Sequence, residues 1–399
     1  MDIKQFKTPF FVLDESSLER QLKKLECAID KYWRNTIVGY SVKTNSLPYL
    51  ASLFRKRGVW AETVSEDEYE LMKLCGYEGN RIISNGPIKS REFVFRVLDA
   101  ESILNIDSHD EIDHVVAYQQ SHPDKCVGVG IRVNLDVREI DADNAGGRFG
   151  FSYESGELEQ AVNALQQGGV NVTGLHLHTG CLAGTLEKYH WLTDKFCEMV
   201  KELSLQDVRY VDYGGGFYGF MENRPQWNEY FRTISKGLLK HGYTSDKLTV
   251  IIEPGASIMA GVFRYYTRVT DVRNNNRESF AFCDGSRVHI DPLMHKKKGS
   301  YTYHILHQGD AKEMSDLSQS LVGYTCMEGD RIMDMDAHER LQQGDVVVFE
   351  KVGSYTSTLS PLFISYYPAV YAEKRNGEWT CVRERWTAQE FIQKSMIKD

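Results

Sequence analysis

The chain has 399 residues, with 47 lysines and arginines against 56 acidic residues and a formal net charge of −9. At roughly 100–200 residues per domain this leaves room for two or three domains, or for one barrel with an extension. A composition of 42% hydrophobic and 26% charged residues is that of an ordinary globular chain, and the acidic balance excludes a surface built for nucleic acid or anionic membrane, whose phosphates it would repel.

In chain order, the extended opening Thr8-Pro9-Phe10-Phe11-Val12-Leu13-Asp14 reads as a strand that pairs with a later domain. Short β-branched or aromatic runs then alternate with helix-like stretches. The runs begin near Thr36 (TIVGYSVK), Gly58 (GVWAETVS), Arg81 (RIISNG), Leu104 (LNID), Val127 (VGVGIRVN), Val170 (VNVTGLHLHTG), Val208 (VRYVDYGGG) and Thr249 (TVIIEPG). Between them, Ser65 and Glu68 open an amphipathic segment with the spacing of a capping box. Strands alternating with helices imply a parallel sheet. Eight of them match a closed (β/α)₈ TIM barrel. A doubly wound open sheet is the rival, but the first strand–helix turn lacks a GxGxxG phosphate loop.

Past about Arg264 the rhythm changes. Ser279–Phe282, Asp345–Phe349 and Tyr366–Tyr371 read as strands without long helices between them, and Asn376-Gly377 is a hairpin signal. The expected architecture is therefore a barrel over residues 30–265 and an antiparallel β-barrel domain from residues 1–29 and 266–399. Eight cysteines, at 27, 75, 126, 181, 197, 283, 326 and 381, form no CxxC pair. They read as scattered thiols of a reducing compartment. The opening Met1-Asp2-Ile3-Lys4-Gln5 carries no apolar signal and no run is long enough to span a bilayer, so a cytoplasmic location is expected. No metal is expected.

In such a barrel, chemistry sits where strands end. The strand ends read Lys43, Glu62, Asn85, Asp107, Arg132, His178, Gly214 to Gly216, and Glu253-Pro254-Gly255. A lysine in a desolvated barrel mouth has a lowered pKa and forms Schiff bases. The triple glycine and the EPG turn let backbone N–H groups approach a phosphate. Glu253 can keep a pyridine nitrogen protonated, and His178 can stack on a heteroaromatic ring, with His176 facing the same way deeper in the core. Together these are the parts needed to hold pyridoxal 5′-phosphate (PLP).

The motifs YSVKTN, HLHTGC, DYGGGF, EPGAS, GYTCMEGD and VGSYT, in that order and across nearly the whole chain, resemble the alanine-racemase-like (fold-type III) PLP enzymes. Within them the chain resembles the ornithine and diaminopimelate decarboxylase group. The resemblance implies that Lys43 binds the cofactor, that His178 stacks on it and that Glu253 meets its ring nitrogen. Gly214, Gly215, Gly216 and Gly255 match the phosphate turns, joined by Cys181 through its backbone and by Tyr355. Glu62 and Arg132 match an acid and an arginine near the cofactor. Cys326 resembles the decarboxylase cysteine that protonates the carbanion. Cys326 and Asp330 lie in a segment that, in the family, crosses a head-to-tail homodimer interface into the partner's pocket.

Departures bear on the substrate, a small amino acid with a diamino or conjugated side chain. Ala256 stands where the family has an arginine after EPG, and Met327 where an acid follows the cysteine. Without these the distal groups of ordinary diamino acids are unpaired. Arg287, Asp291, His295 and Glu328 are candidate replacements. CMEGD and the missing arginine resemble carboxynorspermidine decarboxylases, whereas HLHTGC does not. The alternative activity on the same fold is an amino-acid racemase or epimerase.

Overall fold

The computed structural model describes residues 3–144, 146–219, 221–297, 300–309, 317–336 and 340–397. The chain divides into two compact units, Gln21–Ile258 and Met1–Arg20 with Met259–Asp399.

The strands, in chain order, are β1 (Phe10–Asp14), β2 (Thr36–Ser41), β3 (Trp60–Thr63), β4 (Ile82–Ser84), β5 (Ile103–Ile106), β6 (Gly128–Asn134), β7 (Phe151–Ser152), β8 (Asn171–His176), β9 (Tyr210–Asp212) and β10 (Thr249–Ile252). The later ones are β11 (Phe263–Asn274), β12 (Glu278–Cys283), β13 (Tyr303–Leu306), β14 (Ser318–Val322), β15 (Arg331–Asp334), β16 (Val346–Glu350), β17 (Ala369–Glu373) and β18 (Trp379–Arg383).

All eight runs expected to form the barrel are strands. They pair in parallel in the order β2-β3-β4-β5-β6-β8-β9-β10, and β10 returns to β2, so the sheet closes. Two-residue β7 is an appendage on β6. Parallel neighbours need a crossover, and helices supply it. Each helix buries one apolar stripe: Phe93, Val94 and Val97 on Arg91–Asp99, and Tyr230, Phe231, Ile234 and Leu238 on Trp227–Lys240. Ser65 caps its helix through the Glu68 N–H, as the spacing predicts, but the Glu68 carboxylate turns back to the Val64 N–H. The last crossover is cut short. After β10 a single α-helical turn, Ala256–Met259, and a 3₁₀ turn, Ala260–Val262, lead directly into β11. Inside the barrel, Ile83, Tyr210 and Ile251 form an apolar layer. Above it the strand ends carry polar groups.

The second unit is a nine-stranded sheet, ordered β15-β14-β12-β11-β1-β17-β18, with β16 joining β11 to β13. The opening strand β1 pairs there as expected, antiparallel to β11. Most ladders are antiparallel, but β1–β17 and β12–β14 run parallel, so the sheet is mixed. Twelve-residue β11 holds it together: Arg264–Arg268 pair with β16 and Val269–Asn274 with β12. Phe10 stacks on Tyr266 at 4.8 Å in a core shared with Val12, Val346 and Val348. The Asn376-Gly377 hairpin forms between β17 and β18, with Gly377 at φ 79°. Among the described residues no helix is long and apolar enough to cross a membrane, and all eight cysteines are unpaired.

Candidate active site

The eight strand ends bring a charged cluster to one mouth of the barrel. Lys43 sits on a single 3₁₀ turn, Val42–Thr44, directly after β2. Its ammonium reaches both Glu62 carboxylate oxygens, at 3.2 and 3.0 Å, from the end of β3. The expected desolvated lysine is not what forms. The Lys43 side chain keeps 39% exposure, while Glu62 beneath it is 1% exposed. The ammonium therefore sits at the water boundary, held by a buried counter-charge.

From Glu62 the network runs inward. Asn85 Nδ2 donates to Glu62 Oε1 at 3.1 Å and to Glu253 Oε1 at 2.5 Å. Asn105 donates to Asn85 Oδ1 at 2.9 Å and to Asp212 Oδ2 at 3.2 Å, and it accepts from Tyr210 Oη. One asparagine thus bridges two carboxylates, because an amide offers two donors. Asp212 also takes the Gly214 N–H at 2.9 Å.

Two buried carboxylates this close do not ionise alike. Burial, and then the charge of Glu253, pushes the Asp212 carboxyl well above the usual carboxylate range. Burial opposes ionisation of Glu253 as well, but His176 and Lys43 outweigh it and hold its carboxyl well below that range. His176 Nε2 lies 3.6 Å from Glu253 Oε2, an approach longer than a hydrogen bond. The result is one neutral acid, Asp212, beside one carboxylate, Glu253. Ligand atoms of His176, Asp212 and Glu253 fall within 4.8 Å of one another, but Asn85, Asn105 and Gly214 already draw on the two carboxylates.

His178 lies just past β8, and its Nδ1 accepts the Gly215 N–H at 3.1 Å. That bond fixes the ring against the triple-glycine turn. Gly214 and Gly216 adopt φ of 62° and 87°, and a Cβ on Gly214 would stand 2.5 Å from the His178 ring. Glycine is required there both for the left-handed backbone and for the contact. Burial, then the Lys188 charge, holds the His178 imidazole well below its ordinary pKa, so it is neutral. Gly255 abuts Thr44 beside the Lys43 turn.

Arg132, from β6, is paired with Asp107 at 3.3 Å and covers the Phe149 ring at 4.5 Å, while its Nε is buried with no partner. With His178, Thr179 and Cys181 it lines a cavity of about 320 Å³. The strand-end rule brings Lys43, Glu62, Asn85, His178, the glycine turn and Glu253 into one network. It misses Asp212 and Asn105, which lie two residues before the expected strand ends Gly214 and Asp107, and Lys188, which comes from a helix.

The remaining expected residues belong to the other unit. Tyr355 holds φ 54° although it is not glycine and is 42% exposed, a strained conformation of the kind kept at working positions. Cys326 and Glu328 are exposed beside a cavity of about 270 Å³ whose lining includes Phe280, Phe282 and Arg331. Asp330 is buried and organises that loop itself: it accepts from Ser286 Oγ, the Arg287 and Thr325 N–H groups and Thr325 Oγ1. Arg287 is spent on Asp291 through two bonds of 2.9 and 2.8 Å and on the Met294 and Lys296 carbonyls. Asp291 in turn holds the His295 and Lys296 N–H groups, leaving the His295 side chain exposed. The i, i+4 spacing of Arg287 and Asp291 was a sequence signal for that pairing.

Residues 15–260 match the family described as "Pyridoxal-dependent decarboxylase, pyridoxal binding domain". The chain is 24% identical over 400 residues to a diaminopimelate decarboxylase of Aquifex aeolicus, covering 98% of this chain and 92% of that one. The solved structure of diaminopimelate decarboxylase from Helicobacter pylori complexed with L-lysine superposes with a TM-score of 0.83, at 22% identity, over 98% of this chain and 97% of that one. The arginine decarboxylase of Paramecium bursaria Chlorella virus superposes at 0.77 with 22% identity, over 92% and 96%. At those identities the structural likenesses speak to the fold.

Proposed function

The chain belongs to the pyridoxal-dependent decarboxylases, and from that premise we propose that Lys43 is the amine that holds PLP while the α-carboxylate of a small amino acid is removed. The donor set of the barrel mouth fits the group. It offers an amine at the water boundary, a carboxylate kept ionised for a pyridinium nitrogen, a neutral imidazole for ring stacking, and a glycine turn that a Cβ would fill. The buried, unpartnered Arg132 Nε adds a free donor. Bound there, PLP supplies an electron sink for the pair left at Cα when CO₂ departs.

The observation that carries this reading is the chain of contacts from Lys43 through Glu62 and Asn85 to Glu253. Glu62 holds the Lys43 Nζ in place and takes up its positive charge. Glu253, ionised, is suited to keep a ring nitrogen protonated. His178, being neutral, can lie on a cationic ring without repelling it. Gly214 to Gly216, Gly255 and the Cys181 backbone are the proposed phosphate turns, with Tyr355 completing them.

Cys326 is the proposed donor of the proton that replaces the carboxylate. The reading makes the protein a head-to-tail homodimer in which Cys326 and Glu328 serve the partner's pocket. Exposure of both side chains supports this. Asp330 and Arg287 then act by shaping the loop, and Glu328 is left as the acid for a distal ammonium, with His295 beside it. The relatives' names suggest diaminopimelate or another diamino acid, and the loop favours one whose far end is an amine. Every relative reported above is a decarboxylase, and none supports the racemase or epimerase reading. Eight unpaired cysteines are in keeping with a cytoplasmic location.

Borohydride reduction of PLP-loaded protein should fix the cofactor mass on the Lys43 peptide. The absorbance near about 420 nm expected of such a complex should vanish in Lys43→Ala. Trapping on another lysine would refute the assignment.

A further inference from the structure

Lys188 lies in the first turn of helix Leu186–Glu202, whose N-cap is Thr185. The side chain is 0% exposed. Its ammonium donates to the Thr179 carbonyl at 2.5 Å and sits 5.3 Å from the centre of the Tyr189 ring. Among the described residues no carboxylate pairs with it. A lysine is seldom buried without a counter-ion, because taking a cation out of water is strongly unfavourable. Burial pulls this ammonium down to about 8. One carbonyl also leaves two of its three N–H donors to be placed.

The direction of the side chain says where they point. A Cβ built on Gly216 would stand 3.0 Å from Lys188 Nζ, so the ammonium lies directly against the triple-glycine turn. No backbone acceptor among the described residues takes the Gly216 N–H. Thr179, which anchors Lys188, lines the same cavity as Arg132, His178 and Cys181. The neighbouring EPG turn offers no charge, since Ala256 follows it. The site thus has a buried cation with no anion, beside a turn whose Gly216 N–H takes no backbone acceptor among the described residues.

We propose that Lys188 is the charged partner of the cofactor phosphate, supplying from a helix the positive charge that the turns at Gly214–Gly216 and Gly255 lack. The proposal rests on the PLP reading above. A dianionic phosphate at the turn would satisfy the spare N–H donors, and charge-assisted bonds of this kind are stronger than neutral ones. Lys188 acts on binding alone and carries no proton in the reaction.

The test compares PLP with pyridoxal, which lacks the phosphate, by equilibrium binding to wild type and Lys188→Met followed by absorbance. In Lys188→Met the affinity for PLP should fall by about tenfold or more while that for pyridoxal stays within about twofold. Equal losses for both ligands, or no loss for either, would overturn the proposal and leave a lysine that only pins Thr179. Should Lys188→Met fail to fold, wild type alone decides. Calorimetry in buffers of different ionisation enthalpy at about pH 8 should show PLP binding taking up more protons than pyridoxal binding, as a half-deprotonated ammonium recharges against the phosphate; the Lys43 contribution cancels in the difference. No difference would contradict it. If wild type binds neither ligand, the PLP reading itself fails, and the Lys188 assignment with it.

Discussion

The side chains at the barrel mouth act as a set of unequal acids. Glu253 is kept ionised by His176 and Lys43, and Asp212 beside it is kept neutral by burial and by Glu253. Lys43, His178 and Glu253 were legible because each ends a strand. Asp212 and Asn105 were not, because their importance comes from contacts between residues about a hundred apart in the chain. A second buried histidine offers a stability test. His289 lies between Tyr265 Oη at 2.5 Å and Tyr324 Oη at 3.4 Å, and burial, helped by Arg385, pushes it down to about 3. The folded form thus binds a proton less readily than the unfolded one. The contribution of His289 is complete above about pH 6.5 and is lost as pH falls toward 3, with an upper bound of about 4–5 kcal/mol. Urea unfolding followed from pH 7 to 4 should show stability falling with acid in wild type. The slope should be shallower in His289→Gln, which cannot titrate; identical slopes would remove His289 from the acid response.

At the scale of elements, the turns decide the site. The triple glycine follows three-residue β9 and must reverse sharply while leaving space for the His178 ring. Gly214→Ala would force a side chain into a left-handed backbone, at about 1–2 kcal/mol, and press it on the imidazole. PLP affinity should fall about tenfold or more with the barrel still folded, measured by cofactor titration alongside circular dichroism. Unchanged affinity would show that the turn is not part of the cofactor site. The eight barrel strands and the Asn376-Gly377 hairpin were readable because β-branched runs and turn dipeptides are local signals. The parallel partners of β1 and β12 were not. Which strand lies beside which depends on packing such as Phe10 on Tyr266, and no local pattern encodes it.

For the whole molecule, the proposed homodimer makes a distinctive demand: Lys43 and Cys326 of one active site come from different chains. Mixing inactive Lys43→Ala with inactive Cys326→Ala, after dissociation and reassembly, should restore about a quarter of wild-type activity, since half the dimers then hold one complete site. No recovery despite demonstrated exchange would place both residues in one chain's site. The net charge of −9 keeps polyanions away from this surface, while the barrel mouth is proposed to hold a single phosphate. The central claim, that the chain is a PLP-dependent decarboxylase of a small amino acid, is tested most directly by CO₂ release. PLP-loaded protein in deuterated water should be offered diaminopimelate, ornithine, lysine, arginine, carboxynorspermidine and N-conjugated diamino acids of both chiralities. At least one should release CO₂ over many turnovers and give an amine carrying one solvent deuteron at Cα. Deuterium appearing in recovered substrate with no CO₂ from any of them would contradict the account.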